Sequence, residues 1–322
     1  MSRQRDLVQE IIEKRERNKS RPAQGELYIR LHALERAFDN RPTTNEELIK
    51  YFPIALVACI ENYFRITIKE IIDFDDRYLN SASKLVEKVK FDYDIVRAFQ
   101  GKKISLGEFI SHLVPINNLS TLDSAMSTLL GFNYLEKVSF VHDRLAHEVH
   151  GDEKKPIIPD KDYCFKFVSR TFELRHIFCH EMANRQKIDS KEIEECFTST
   201  LTFIKAADEL HHQTLYPNAP LSQFEMNKQA FESLGRATRH LEGLNKTVES
   251  FLPKDRFEEY VAAHKNWEKF RDSYAEFHAN EYKGGSLWKT IYGETAAEIT
   301  QKRIMEIEGY IEILKEFGGE RP

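Results

Sequence analysis

Glu173-Leu174-Arg175-His176-Ile177-Phe178-Cys179-His180-Glu181 sets an arginine and two histidines within one short stretch. Apolar residues surround them at Phe165, Phe167, Val168, Phe172, Leu174, Ile177, Phe178 and Met182. That spacing reads as a buried helix, so the polar trio rides on an otherwise core-like segment. Given the Arg and His content, roughly two Arg-x(4 to 6)-His spacings are expected by chance. Others do occur, among them Arg144 to His150 in Asp-Arg-Leu-Ala-His-Glu-Val-His, so the spacing needs its surroundings to carry meaning.

Upstream, a long apolar helix runs from Leu48 towards Phe74 through Ile54, Leu56, Val57, Ile60, Phe64, Ile68 and Ile71. It carries Glu61, Asn62 and Arg65 as polar interruptions. Thr43-Thr44-Asn45-Glu46-Glu47 has the polar caps and acids of a helix start. Further helices are expected over 81–114 with a break at Gly101-Lys102-Lys103, and over 121–150 with a break at Gly131. Asp160 or Asp162 caps the helix bearing Arg175, and Asp189 restarts the chain as a helix to about Leu215. Tyr216-Pro217-Asn218-Ala219-Pro220 cannot continue a helix and reads as a linker. Helical segments follow at about 224–250, 256–281 and 295–316, with a sharp turn at Lys283-Gly284-Gly285-Ser286. No stretch has a convincing strand period, so the fold class is all-α.

The 322 residues suffice for about two domains. The expected division is a basic arm at 1–24, a helical domain at 25–216, a linker at 217–227 and a helical domain at 228–322. The arm sets Arg3, Arg5, Lys14, Arg15, Arg17, Lys19 and Arg21 against four acids. It reads as a solvated helix or as a contact to RNA phosphates. A net charge of −5 gives no global reason to bind nucleic acid, so an anionic partner must be held by a local patch. The start of the chain has no apolar core of signal-peptide length, and no apolar run is long enough to span a membrane. Four cysteines show no paired spacing. Together these predict a cytoplasmic protein without disulfides.

Arg175, His176 and His180 suit acid–base chemistry on a phosphodiester. Histidine moves protons near neutral pH, and arginine holds a charged fork of donors toward phosphate oxygens. The same residues also read as helix positions pairing with Glu173 and Glu181. His176 and His180 are one turn apart, as metal ligands can be. However, Asn184 stands where the zinc-protease motif has its next ligand position, and no catalytic metal or cofactor is expected. Arg144, His147 and His150, and the pair His211-His212, read as surface residues.

Residues from about Leu27 to Leu215 resemble the HEPN superfamily, in particular its ribonuclease L-associated and bacterial defence group. The resemblance rests on Ile60-Glu61-Asn62-Tyr63-Phe64-Arg65, on Leu174-Arg175-His176-Ile177-Phe178-Cys179-His180-Glu181, and on the helix through Ile193, Phe197, Leu201 and Phe203 to Leu210. It implies a helical, usually dimeric, metal-independent endoribonuclease of the toxin or phage-defence type. Arg175 and His180 would be the catalytic pair, with His176 at the polar position after the arginine. Glu61 and Arg65 would be supporting groups. The alternative is a non-catalytic helical module that binds RNA, a nucleotide or a protein.

The C-terminal part resembles the LprI lysozyme-inhibitor family through Trp267-x-x-x-Arg271-Asp272, Tyr282-Lys283-Gly284-Gly285-Ser286, Tyr292 and Thr300-x-x-Arg303-Ile304 with Ile307. The family pattern has two cysteines, where this chain has Ala275 and Thr295. That difference fits a reducing compartment and points to a partner-binding or sensing module rather than a periplasmic inhibitor. The expected partners are RNA, a second copy of the chain and a protein on the C-terminal domain.

Overall fold

The computed structural model describes residues 8–13, 16, 23–41, 46–87, 89, 93–101, 104–181 and 189–316. Most of the basic arm lies outside these residues, as do the cap at Thr43-Thr44-Asn45, the Lys102-Lys103 break, Met182 and Asn184. The described residues are helical with no strand among them, so the chain is all-α. Among them no helix is long and apolar enough to cross a membrane. The chain divides into two compact units, Met1–Pro217 and Asn218–Pro322.

The first unit contains α1 (Ala23–Asp39), α2 (Glu46–Phe74), α3 (Asp76–Ala82), α4 (Tyr93–Gln100), α5 (Leu106–Leu113), α6 (Leu119–Leu130), α7 (Tyr134–Phe140), α8 (Lys161–His180) and α9 (Ser190–Leu215). Helix α2 is its axis and packs on α1, α3, α5, α8 and α9. The reason is its composition. Phe52, Leu56, Ile60, Phe64, Ile68 and Ile71 are at most 1% exposed, so the helix is apolar around most of its girth and needs neighbours on several sides. Asp160 begins α8 by accepting from the Tyr163 amide, and Asp189 begins α9 by accepting from Lys191. Cys164, Phe167, Val168, Thr171, Phe172 and Leu174 form the buried side of α8. Small groups bring α8 and α9 close: the Thr171 and Thr200 hydroxyls lie 3.3 Å apart, and the Cys164 thiol reaches the Ser199 carbonyl at 3.5 Å.

A polar cluster centred on a histidine sits in this core. His211 of α9 is 5% exposed, contrary to the surface position expected from the sequence. Its apolar neighbours on α9, Ala207, Leu210 and Leu215, are buried with it, and the helix continues past it to Leu215. The His211 Nδ1 lies 2.6 Å from the Tyr63 hydroxyl of α2, and its Nε2 lies 3.0 Å from the Tyr134 hydroxyl of α7. Both phenol rings stack on the imidazole with centroids 5.6 Å away. Tyr63 also donates to Asp208 at 3.3 Å, and Tyr28 of α1 donates to the other Asp208 oxygen. One tautomer satisfies the chain: Tyr134 donates to Nε2, Nδ1–H donates to Tyr63, and Tyr63 donates to Asp208. Burial holds the His211 pKa down at about 3 and pushes both tyrosines up.

The second unit has three helices, α10 (Gln223–Phe251), α11 (Lys254–Ala279) and α12 (Trp288–Glu316). Ser222 and Glu225 form a capping box that starts α10 inside the stretch expected as linker. Helix α12 likewise begins at Trp288, earlier than the expected 295. Ala237, Leu241 and Val248 of α10 meet Ile304, Ile307, Ile311 and Leu314 of α12, with Tyr260 and Trp267 of α11 against them. A Cβ on Gly293 would stand 2.9 Å from the Ala230 Cβ, so glycine permits the close α10–α12 approach. Gly284, at φ +84°, turns the chain between α11 and α12. The unit is thus a hairpin with a third helix laid along it.

His211→Phe should cost about 1–3 kcal/mol in urea unfolding, because Tyr134 loses its partner in a dry site. Adding Tyr134→Phe should recover much of that loss, and a fully additive double variant would contradict the assignment. His211 also sets an acid limb. Its folded pKa lies below the ordinary value of 6.5, so its contribution is fully present above that pH. The contribution falls as pH drops from 6.5 towards about 3, by up to ~1.4 kcal/mol per unit.

Candidate functional site

The last two turns of α8 present the polar trio. The buried side of the helix faces α2 and α9, which leaves Glu173, His176 and His180 exposed and Arg175 at the margin. Arg175 reaches across to α2, where its Nη2 stands 3.9 Å from Glu61 Oε1. The side chains of that pair are 38% and 24% exposed, so the contact steers the guanidinium more than it stabilises the fold. His176 and His180 lie side by side, with ring centroids 5.0 Å apart. His180 is the last residue of α8, and the Glu181 amide closes the helix on the Ile177 carbonyl at 2.9 Å. Among the described residues no hydrogen bond or ion pair ties Arg175 to either histidine.

A residue that pattern reading missed holds this end of α8 in place. Arg170 bonds Glu173 at 2.9 Å and Glu192 of α9 at 2.8 Å, and both carboxylates raise its pKa. The only signal for it is Glu192 in the first turn after the Asp189 cap. Glu61 and Arg65 are one turn apart on α2 and so share a side of it. The Arg65 Nε is buried and has no hydrogen-bond partner among the described residues, while the residue as a whole is half-buried. Phe172 belongs to the core at 5% exposure, and Ile177 and Phe178 are half-buried. Of the apolar residues around the motif, Phe167, Val168, Phe172 and Leu174 are therefore closed to any partner.

The competing match behaves differently. Arg144 is buried rather than on the surface. Its Nε meets Glu209 at 3.2 Å, its Nη1 the Pro217 carbonyl at 3.0 Å, and its Nη2 His212 Nδ1 at 2.7 Å. In the turn that follows, Asp143 accepts from the Ala146 amide, and residues Leu145–Val149 form a π-helical turn. That amide bond holds the Asp143 carboxyl below its usual range. His147 bonds the Asp152 carbonyl at 2.9 Å through Nδ1, and its ring lies 5.7 Å from that of His142. Burial, aided by Lys154 and His147, lowers the His142 pKa. His150 is exposed and, being beyond the π turn, is not held with Arg144. No group of three or more potential metal ligands comes together among the described residues.

The two arginines should therefore separate in unfolding experiments. Arg144→Ala removes the cation paired with Glu209 and should cost about 2–4 kcal/mol, somewhat under a fully buried pair because Glu209 keeps some solvent contact and its bond from Gln213. Arg175→Ala should stay within about 0.5 kcal/mol of wild type. Equal losses would contradict the structural role of the first and the open position of the second.

No curated protein and no solved structure matches the chain. Residues 217–307 match the family described as lysozyme inhibitor LprI, which identifies the C-terminal unit as LprI-like.

Proposed function

We propose that the chain is a metal-independent endoribonuclease of the HEPN type, acting as a toxin or in phage defence. The observation that carries this reading is the open terminal turn of α8. There Arg175, His176 and His180 reach solvent together while Arg144 of the rival motif is buried and occupied. RNA brings its own nucleophile. Its 2′-hydroxyl attacks the adjacent phosphorus, the bond to the 5′-oxygen breaks, and the chain ends in a 2′,3′-cyclic phosphate and a 5′-hydroxyl. His180 takes the 2′-hydroxyl proton, and a second imidazole gives a proton to the leaving 5′-oxygen. Arg175, steered by Glu61, holds the phosphate oxygens as negative charge gathers on them. Arg65 adds positive charge from the same side of α2 as Glu61.

The second imidazole is His176 or the His180 of a second copy. A two-fold pairing sets equivalent residues opposite each other and doubles the local positive charge, which a chain of net charge −5 otherwise lacks. The C-terminal unit supplies a face for a protein partner: Phe270, Tyr274 and Phe277 of α11 are 54%, 42% and 69% exposed on successive turns. Four cysteines, all free thiols, suit a cytoplasmic setting.

Incubated with total RNA in chelator, the wild-type protein should cleave it. His180→Ala should lose about 10²–10⁴-fold. His150→Ala should remain close to wild type, and inactivity of that variant instead would move the site to the other motif. Intact RNA under all conditions would favour a non-catalytic binding module.

Sedimentation should show a dimer at micromolar concentration. Mixing Arg175→Ala and His180→Ala chains tests whether one cleft draws on both copies. Full cleavage by a strict monomer would sink the shared site.

The whole chain should leave lysozyme active in a direct assay, since Ala275, buried in α11, stands where the LprI pattern has a cysteine. Potent inhibition would show that the ancestral activity survived.

A further inference from the structure

We propose that His176 and His180 form a two-histidine chelate for a divalent transition-metal ion, Cu²⁺ or Zn²⁺, and that the bound ion switches the site off. Both rings are exposed on the same side of α8, and their centroids are 5.0 Å apart with planes tilted by 47°. With metal–nitrogen bonds of about 2.0–2.1 Å, two imidazoles on one ion have ring centres roughly 5–6 Å apart, so the rings need little movement to share one. Their position adds a second attraction. His180 ends α8, and the last turn of a helix gathers the negative end of its dipole, where a cation is favoured.

The neighbouring charges do not block the ion. Arg175 leans to Glu61, and Glu173, one turn earlier, is paired with Arg170. Among the described residues no third potential ligand joins the two histidines, so water would complete the coordination and binding is reversible, unlike a closed four-ligand structural site. Copper should bind more tightly than zinc on an imidazole pair. The inhibition follows from occupancy: a ring nitrogen whose lone pair is on the metal cannot take a proton from a 2′-hydroxyl. This consequence rests on the ribonuclease reading, whereas the chelate itself does not.

The experiment is calorimetric titration of the full chain with Cu²⁺ and then Zn²⁺, without RNA, in a non-coordinating buffer. A saturable site of one ion per chain is expected. His176→Gln and His180→Gln should each weaken it by at least the roughly tenfold to hundredfold that loss of an outer-shell partner costs. His150→Gln should leave it unchanged, and circular dichroism should show all three variants folded. Unchanged binding in both motif variants would overturn the chelate. In a parallel arm, Zn²⁺ should suppress RNA cleavage by the wild type and a chelator should restore it. Cleavage undiminished at saturating metal would overturn the switch. Absence of cleavage with and without metal would overturn the ribonuclease reading, and the titration would still decide the chelate.

Discussion

His211 is buried, so both of its ring nitrogens need partners, and side chains supply them in a way that sets α2, α7 and α9 against one another. Tyr63 and Tyr134 meet it from opposite ends, and Asp208 draws in Tyr28 of α1. A partly satisfied network in a dry core would be worse than an apolar one. The helices can therefore adopt few other arrangements. Burial also keeps the imidazole uncharged at neutral pH, which removes it from any proton-transfer role there.

The same scaffold places the candidate chemistry. Tyr63 and Glu61 are two positions apart on α2, which turns them to nearly opposite sides of a helix. One faces the buried imidazole, and the other faces the margin where Arg175 waits. Helix α8 repeats the division, with Phe167, Val168, Thr171 and Phe172 inward and His176 and His180 outward. Arg170 pins this end of α8 to α9 through Glu192. The candidate site is thus anchored at its base by this ion pair and exposed above it.

Much of this was legible from periodicity. The apolar spacing of α2 and α8, the Asp160 and Asp189 caps and the glycine turn at Gly284 all follow local rules, and each appears in the structure. His211 was readable too, since its spacing from Phe203, Ala207 and Leu215 continues the apolar side of α9. Its neighbour His212 and the coming prolines disguised it as a helix end. Arg144 was not readable. Its burial depends on Glu209, 65 positions along the chain, and it leads into a π turn that no local pattern announces. The ion pair between Glu61 and Arg175 is likewise a contact between distant segments, which only the packing of α2 on α8 brings together.

The measurement that bears most directly on this account is the chemistry of the RNA ends left by the wild-type protein. Attack by the 2′-hydroxyl, with His180 moving its proton, leaves a 2′,3′-cyclic phosphate and a 5′-hydroxyl. The fragments should accept phosphate from polynucleotide kinase without prior dephosphorylation. Fragments carrying 5′-phosphate and 3′-hydroxyl ends would mean that water was the nucleophile, and the roles given to Arg175 and His180 would be wrong.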